Sequence, residues 1–165
     1  MFATKKVHNK TVMEFLLVAF LSGVADIIPR RSLDFCLLKV KNYDIKNDNF
    51  YLKGKMYFNV YKTSFKYGLQ IVTVPKEIDT IIQKWIKVSN NDYMLFSSTG
   101  THLTSPQITR LLNGCFHGKN VSTDILRHVY LTNRFGGMPS INELQKVATA
   151  MGHNSGTQQL YIKKD

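Results

Sequence analysis

From Val12 to Ala25 apolar residues follow one another almost without relief, broken by Glu14 and Ser22. Apolar density on every face, over a stretch too short for a comfortable bilayer span, predicts a buried helix across Thr11–Val24. The residues before it are basic and weakly patterned, which sets Met1–Lys10 apart as a basic arm or the end of a linker, with a domain from residue 11 to 165. Pro29 restarts the chain, and proline is well tolerated in a first helical turn. Leu33, Leu37 and Leu38 then supply one face of a second helix from Arg30 to Val40.

Further along, the period changes. Phe50–Leu52, Met56–Tyr61 and Leu69–Val74 are rich in aromatic and β-branched residues, separated by turn-formers at Asn47-Asp48-Asn49, Lys53-Gly54 and Tyr67-Gly68. That pattern predicts a small antiparallel sheet of three strands. Pro75 closes it, and Ile78, Ile81, Ile82 and Trp85 recur at helical spacing over Lys76–Val88. Three more helices carry start signals. Ser105-Pro106 precedes Leu111 and Leu112, with a stop near Gly114. Ser122 or Thr123 precedes Leu126, Tyr130 and Leu131, with a stop at Gly136-Gly137. Ser140-Ile141-Asn142-Glu143 is a capping box ahead of Leu144, Val147 and Met151. A last short helix follows Ser155-Gly156-Thr157. The fold class is α+β: one mostly helical domain holding a small sheet, in a chain of 165 residues.

Composition narrows the partner. The chain has 22 Lys+Arg against 11 Asp+Glu, a formal net charge of +11, which calls for a polyanion, either nucleic acid or an anionic membrane surface. A hydrophobic content of 44% argues against wholesale disorder. The apolar N-terminal run lacks the small-residue cleavage pattern of a signal peptide and carries its acid too early. Cys36 and Cys115 have no CxxC pairing and read as free thiols in a reducing compartment, too few for a structural zinc site.

Four short segments carry chemistry-bearing residues. The first is Pro29-Arg30-Arg31-Ser32-Leu33-Asp34. Paired arginines are most often a solvated face, but positive charge is unfavourable at the positive end of a helix dipole, so these two need a reason. Asp34 pairing with Arg31 is one, and an anionic ligand is another. The second is Tyr61-Lys62-Thr63-Ser64-Phe65-Lys66-Tyr67-Gly68, a strand running into a basic hairpin whose lysines serve solubility or reach a nucleic-acid groove. The third is Asp124-Ile125-Leu126-Arg127-His128, which alone would be structural or exposed. The fourth runs from Met151-Gly152-His153 through a polar turn to Tyr161, where the bland reading is a core tyrosine.

Taken together and in this order, the four segments resemble the catalytic domain of the tyrosine recombinases, the phage-integrase family of site-specific DNA recombinases. The resemblance spans Thr11 to Tyr161. It is strongest at Leu126-Arg127-His128 and at Met151-Gly152-His153 with the tyrosine beyond. A Lys-Thr pair on a hairpin ahead of Val72-Thr73-Val74-Pro75 supports it. The family's first arginine box usually reads Gly-x-Arg-x-x-Glu, and Arg31-Ser32-Leu33-Asp34 matches its Arg-x-x-acid core. Pro29-Arg30-Arg31 looks more like integrases of eukaryotic mobile elements and large DNA viruses than bacterial ones.

The resemblance implies cleavage and rejoining of DNA through a 3′-phosphotyrosyl intermediate, with Arg31, Lys62, Arg127, His153 and Tyr161 catalytic and Arg30, Asp34, Asp124 and His128 supporting or of uncertain role. It implies no cofactor and no metal, double-stranded DNA as partner, and self-association into a dimer or tetramer on DNA rather than a membrane. Localisation follows the target DNA: inside the cell, in the host nucleus for a eukaryotic element or virus, not secreted. Two departures stand out. Asp124 occupies the place, three residues before the second arginine, where the family usually has His or Lys; His117 and Lys119 are candidates to substitute. Tyr161 follows His153 by eight residues, one fewer than usual. The chain has no room for the family's additional N-terminal clamping domain, so it is expected to be a catalytic fragment of a longer protein. Competing readings are a type IB topoisomerase or telomere resolvase using the same chemistry, and a non-catalytic nucleic-acid-binding domain.

Overall fold

No proline or glycine interrupts the chain between Phe2 and Ser22, and in the computed structural model helix α1 takes up that whole stretch (Phe2–Ser22). The helix therefore starts in the segment expected to be an arm. The structure describes residues 2–136 and 140–152, apart from the side chains of residues 2–9 and 141. Leu16, Leu17, Phe20 and Leu21 are buried on successive faces, and α1 packs against three later helices: α4 (Lys76–Ser89), α5 (Ser105–Cys115) and α6 (Thr123–Phe135). A helix that is apolar all round is stable only when enclosed in this way. Among the described residues no helix is long and apolar enough to cross a membrane.

The second helix is much shorter than its apolar spacing suggests. Helix α2 covers Ser32–Cys36, and the chain then straightens into β1 (Leu38–Lys39). Strands β2 (Asn49–Leu52), β3 (Lys55–Phe58) and β4 (Gln70–Thr73) complete a sheet in the order β1-β2-β3-β4. The pairs β2–β3 and β3–β4 are antiparallel, whereas β1 runs parallel to β2. The sheet thus has four strands and is mixed, not three-stranded and antiparallel. The cause is non-local. Val40 N–H donates to the Asp92 carbonyl at 2.7 Å and Met94 N–H to the Leu38 carbonyl at 2.8 Å, so residues beyond α4 hold Leu38–Lys39 extended. Between β3 and β4 the expected hairpin is a loop containing one helical turn, α3 (Ser64–Tyr67).

One core joins the layers. Phe35 stacks on Phe20 of α1 at 5.2 Å and meets Phe58 of β3 edge-on at 5.6 Å. A second cluster, Leu131, Phe135, Leu144, Val147 and Met151, packs α6 against the final described helix, α7 (Ile141–Ala150). The caps of α6 and α7 fall where the sequence signals them, and that of α5 falls one residue before Ser105. Thr104 and Ser140 form full capping boxes with Gln107 and Glu143, and the Ser122 hydroxyl accepts from Ile125 N–H. Gly23 ends α1 at φ +78, directly beneath the Tyr130 ring of α6, where a Cβ would collide.

Candidate functional site

A helix C-terminus leaves carbonyls without intrahelical partners and carries the negative end of the helix dipole. At α7 those carbonyls are met by side chains from three other places. Gln70 of β4 donates through Nε2 to the Thr149 carbonyl at 2.7 Å. Arg30 Nη1 donates to the Ala150 carbonyl. Arg31 Nη1 and the Thr63 hydroxyl both donate to the Gly152 carbonyl, at 3.0 and 2.9 Å. The arginine segment, the β3–β4 loop and the last turn of α7 therefore converge on a few ångströms of backbone. Gly152 sits at φ +69, and an added Cβ would lie 3.3 Å from Arg31 Nη1 and 3.4 Å from both Thr63 Oγ1 and Tyr61 Cδ2. Such a backbone suits glycine, and the close approach needs it.

The two adjacent arginines take opposite environments. Arg30 is 1% exposed, and its Nε donates to Asp34 Oδ2 at 2.9 Å, one helical turn on. Its Nη1 also bonds Gln70 Oε1, and its guanidinium lies 4.4 Å from the Phe58 ring centre and 4.8 Å from that of Tyr61. Arg31 is only half-buried. The acid expected to pair with Arg31 is thus held by Arg30, the residue before the helix cap, and both side chains of that pair are buried. Burial pushes the Asp34 carboxyl above the ordinary range, and Arg30, then Arg31 and Arg127, pull it back.

Arg127 is also buried, at 4% exposure on α6. Its Nη2 donates to Asp124 Oδ1 at 2.6 Å, one turn earlier on the same helix, and the Asp124 side chain is itself 66% exposed. The aspartate at the unusual position is therefore tied to the second arginine. His128 is half-buried beside it. Lys62 is exposed next to the anchored Thr63. His117 and Lys119 are exposed after α5, His117 with φ +54. His153, Tyr161 and the last expected helix lie outside the described residues.

Two positioning side chains escaped sequence reasoning. Gln70 faces inward at the start of β4 and bridges Arg30 to α7. Asn49, expected in a turn, opens β2 at 1% exposure; its Nδ2 donates to the Asp34 and Val60 carbonyls and its Oδ1 accepts from Val60 N–H. It thus pins the loop bearing Lys62 to α2. Neither residue type carries a signal for such a role in sequence alone.

A mostly helical unit with a small sheet, which brings the arginine segment, the lysine-bearing loop and the end of α7 together, has the tyrosine recombinase catalytic-domain fold. The solved structures it matches include XerA recombinase, with a TM-score of 0.62 at 17% identity over 98% of this chain and 55% of that one. XerH site-specific recombinase bound to its difH substrate in a pre-cleavage complex gives 0.56 at 20% identity, over 100% of this chain and 46% of that one. The Tn1549 transposon integrase in complex with circular intermediate DNA gives 0.50 at 16% identity, over 92% and 53%. The chain spans about half the length of these proteins. Comparison of sequences finds no matching family model and no similar curated protein.

Proposed function

We propose that this chain is the catalytic domain of a DNA strand-transferase, a site-specific recombinase or integrase working through a phosphotyrosyl intermediate. One observation carries the reading. The Gly152 carbonyl, one residue before His153, is bonded by both Arg31 and Thr63, the neighbour of Lys62, so three of the four chemistry-bearing segments meet at one point. The remaining segment carries Arg127, which acts electrostatically on Asp34 of the arginine segment.

In this mechanism the Tyr161 hydroxyl attacks the scissile phosphorus. The bond from phosphorus to the 5′-oxygen breaks as the bond to tyrosine forms, leaving a 3′-phosphotyrosyl link and a 5′-hydroxyl. The phenol, with an ordinary pKa near 10, gives up its proton in the step. Arg31 and Arg127 meet the charge on the non-bridging oxygens with guanidinium forks that stay protonated at any working pH. Each such donor contributes about 3 kcal/mol to the transition state, or roughly a hundredfold in rate. Lys62, on an exposed loop, protonates the leaving oxygen, and His153 donates a hydrogen bond to the phosphate. A 5′-hydroxyl from a second strand reverses the attack and rejoins the DNA, with the bond energy conserved throughout and no nucleotide cofactor needed.

The test is a DNA duplex nicked beside the scissile phosphate, which traps the covalent adduct. Wild-type protein should become linked to it and Tyr161→Phe should not; DNA binding without any adduct would refute the reading. Transfer between two marked duplexes separates a recombinase from a topoisomerase. A second reading, a DNA-binding domain that has lost cleavage, is favoured by the Asp124–Arg127 ion pair, which spends one phosphate-binding nitrogen on a carboxylate.

A further inference from the structure

Buried ion pairs seldom add net stability, because desolvation of the two charges offsets their attraction. The Arg30–Asp34 pair, with both side chains 1% exposed, needs another reason to exist. Its position supplies one. Arg31 stands three residues before Asp34, its carbonyl accepting from Asp34 N–H at 3.1 Å, and Arg31 and the buried Arg127 both act electrostatically on the carboxylate. A lone carboxylate there would pull on two cations that have other work to do, whereas Arg30, sealed from solvent by the Phe58 and Tyr61 rings, reaches no DNA of its own.

We infer that Arg30 is a positioning residue: it neutralises Asp34 inside the domain, so that Arg31 and Arg127 stay directed at the phosphodiester. The inference rests on the strand-transfer reading above. It separates two duties of Arg30, its charge towards Asp34 and its hydrogen bonds to Gln70 and the Ala150 carbonyl, which hold β4 against α7. Insulation of Asp34 requires the charge, and a mere clamp requires the bonds.

The two duties come apart in single-turnover adduct formation on the nicked duplex at saturating protein, with DNA affinity measured separately by anisotropy. Arg30→Met should slow adduct formation by about a hundredfold, the scale of one lost phosphate-binding donor, with affinity changed by no more than about threefold. Removing the carboxylate as well, in Arg30→Met with Asp34→Leu, should recover at least about tenfold of that loss, although the bonds to Gln70 and Ala150 are still absent. Arg30→Lys, which keeps the charge without the fork, should retain most of the wild-type rate. Gln70→Leu, which cuts the clamp and spares the pair, measures the share of the bonds alone and should cost adduct formation less than about tenfold. Should Arg30→Met fail to fold, Arg30→Lys and the double variant still decide. Both within about tenfold of wild type supports insulation, and a loss near a hundredfold in either overturns it, as does a Gln70→Leu loss of that size. A wild-type protein that forms no adduct overturns the strand-transfer reading and this inference together; wild-type cleavage without rescue overturns the inference alone.

Discussion

Gly152→Ala tests how tightly the site is drawn together. At φ +69 an alanine carries a backbone penalty of roughly 1–2 kcal/mol. Its Cβ would also stand 3.3 Å from Arg31 Nη1, inside ordinary contact, so the guanidinium must move off the Gly152 carbonyl by a few tenths of an ångström. A charge-assisted hydrogen bond of that kind contributes about 1.5–3 kcal/mol, of which a fraction is lost. The total is about 2–4 kcal/mol, which for a domain of this size lowers Tm by about 5–15 °C. Gly118 provides the control, since it has φ +78 but nothing within 4 Å of an added Cβ. Gly118→Ala should therefore show the backbone penalty alone, a fall of about 2–8 °C. Thermal unfolding followed by circular dichroism, with urea titration for the free energies, measures both. On the nicked duplex Gly152→Ala should also lose at least about tenfold in adduct formation, because it moves Arg31, and Gly118→Ala should lose none. If the two variants unfold at the same temperature and cleave alike, the convergence on Gly152 is not the tight clasp described here.

Other perturbations give separate readings. Asp124→His releases Arg127 from its 2.6 Å ion pair, so adduct formation should hold level or rise by up to about tenfold; a severe loss would give Asp124 a positive role. Asn49→Leu strands the Asp34 and Val60 backbone groups in the interior and should cost at least about 2 kcal/mol in urea unfolding. Burial pushes the Cys36 thiol up to about 12, so at pH 8 its thiolate fraction is about 10³-fold below that of a free cysteine. Cys115, half-buried where Cys36 is fully enclosed, should be alkylated first in native protein, with Cys36 labelled only on unfolding; mass spectrometry of the labelled peptides reads the order.

How much of this was legible beforehand depended on the range of the interactions involved. Helix starts are local, and Ser122 and Ser140 cap the helices that their own sequences announce. At α5 the cap fell one residue earlier than Ser105, on Thr104, because Gln107 completes the box from there. The failures were non-local. Leu38 belongs to a helical apolar pattern, yet residues near Asp92 and Met94 draw it into a parallel strand. The arginine segment was visible as a site, but the division of labour within it was not. Whether Arg30 or Arg31 takes Asp34 depends on which side of a five-residue helix faces Phe58 and Tyr61, and those residues arrive from another part of the chain. Lys62 and Arg127 were found as residue types in a recognisable order. The bonds that bring the lysine loop to α7, through Thr63, Gln70 and Asn49, follow only from the folded backbone.

The central proposal is that Tyr161 becomes covalently joined to DNA, with Arg31, Lys62 and Arg127 acting on the phosphate. Protease digestion of the trapped adduct, followed by mass spectrometry of the nucleotide-linked peptide, tests it most directly. The account predicts a 3′-phosphate ester on Tyr161, absent in Tyr161→Phe and reduced about a hundredfold in Arg31→Ala. Linkage through another residue, a 5′-phosphate link, or bound DNA that is never cut would contradict it.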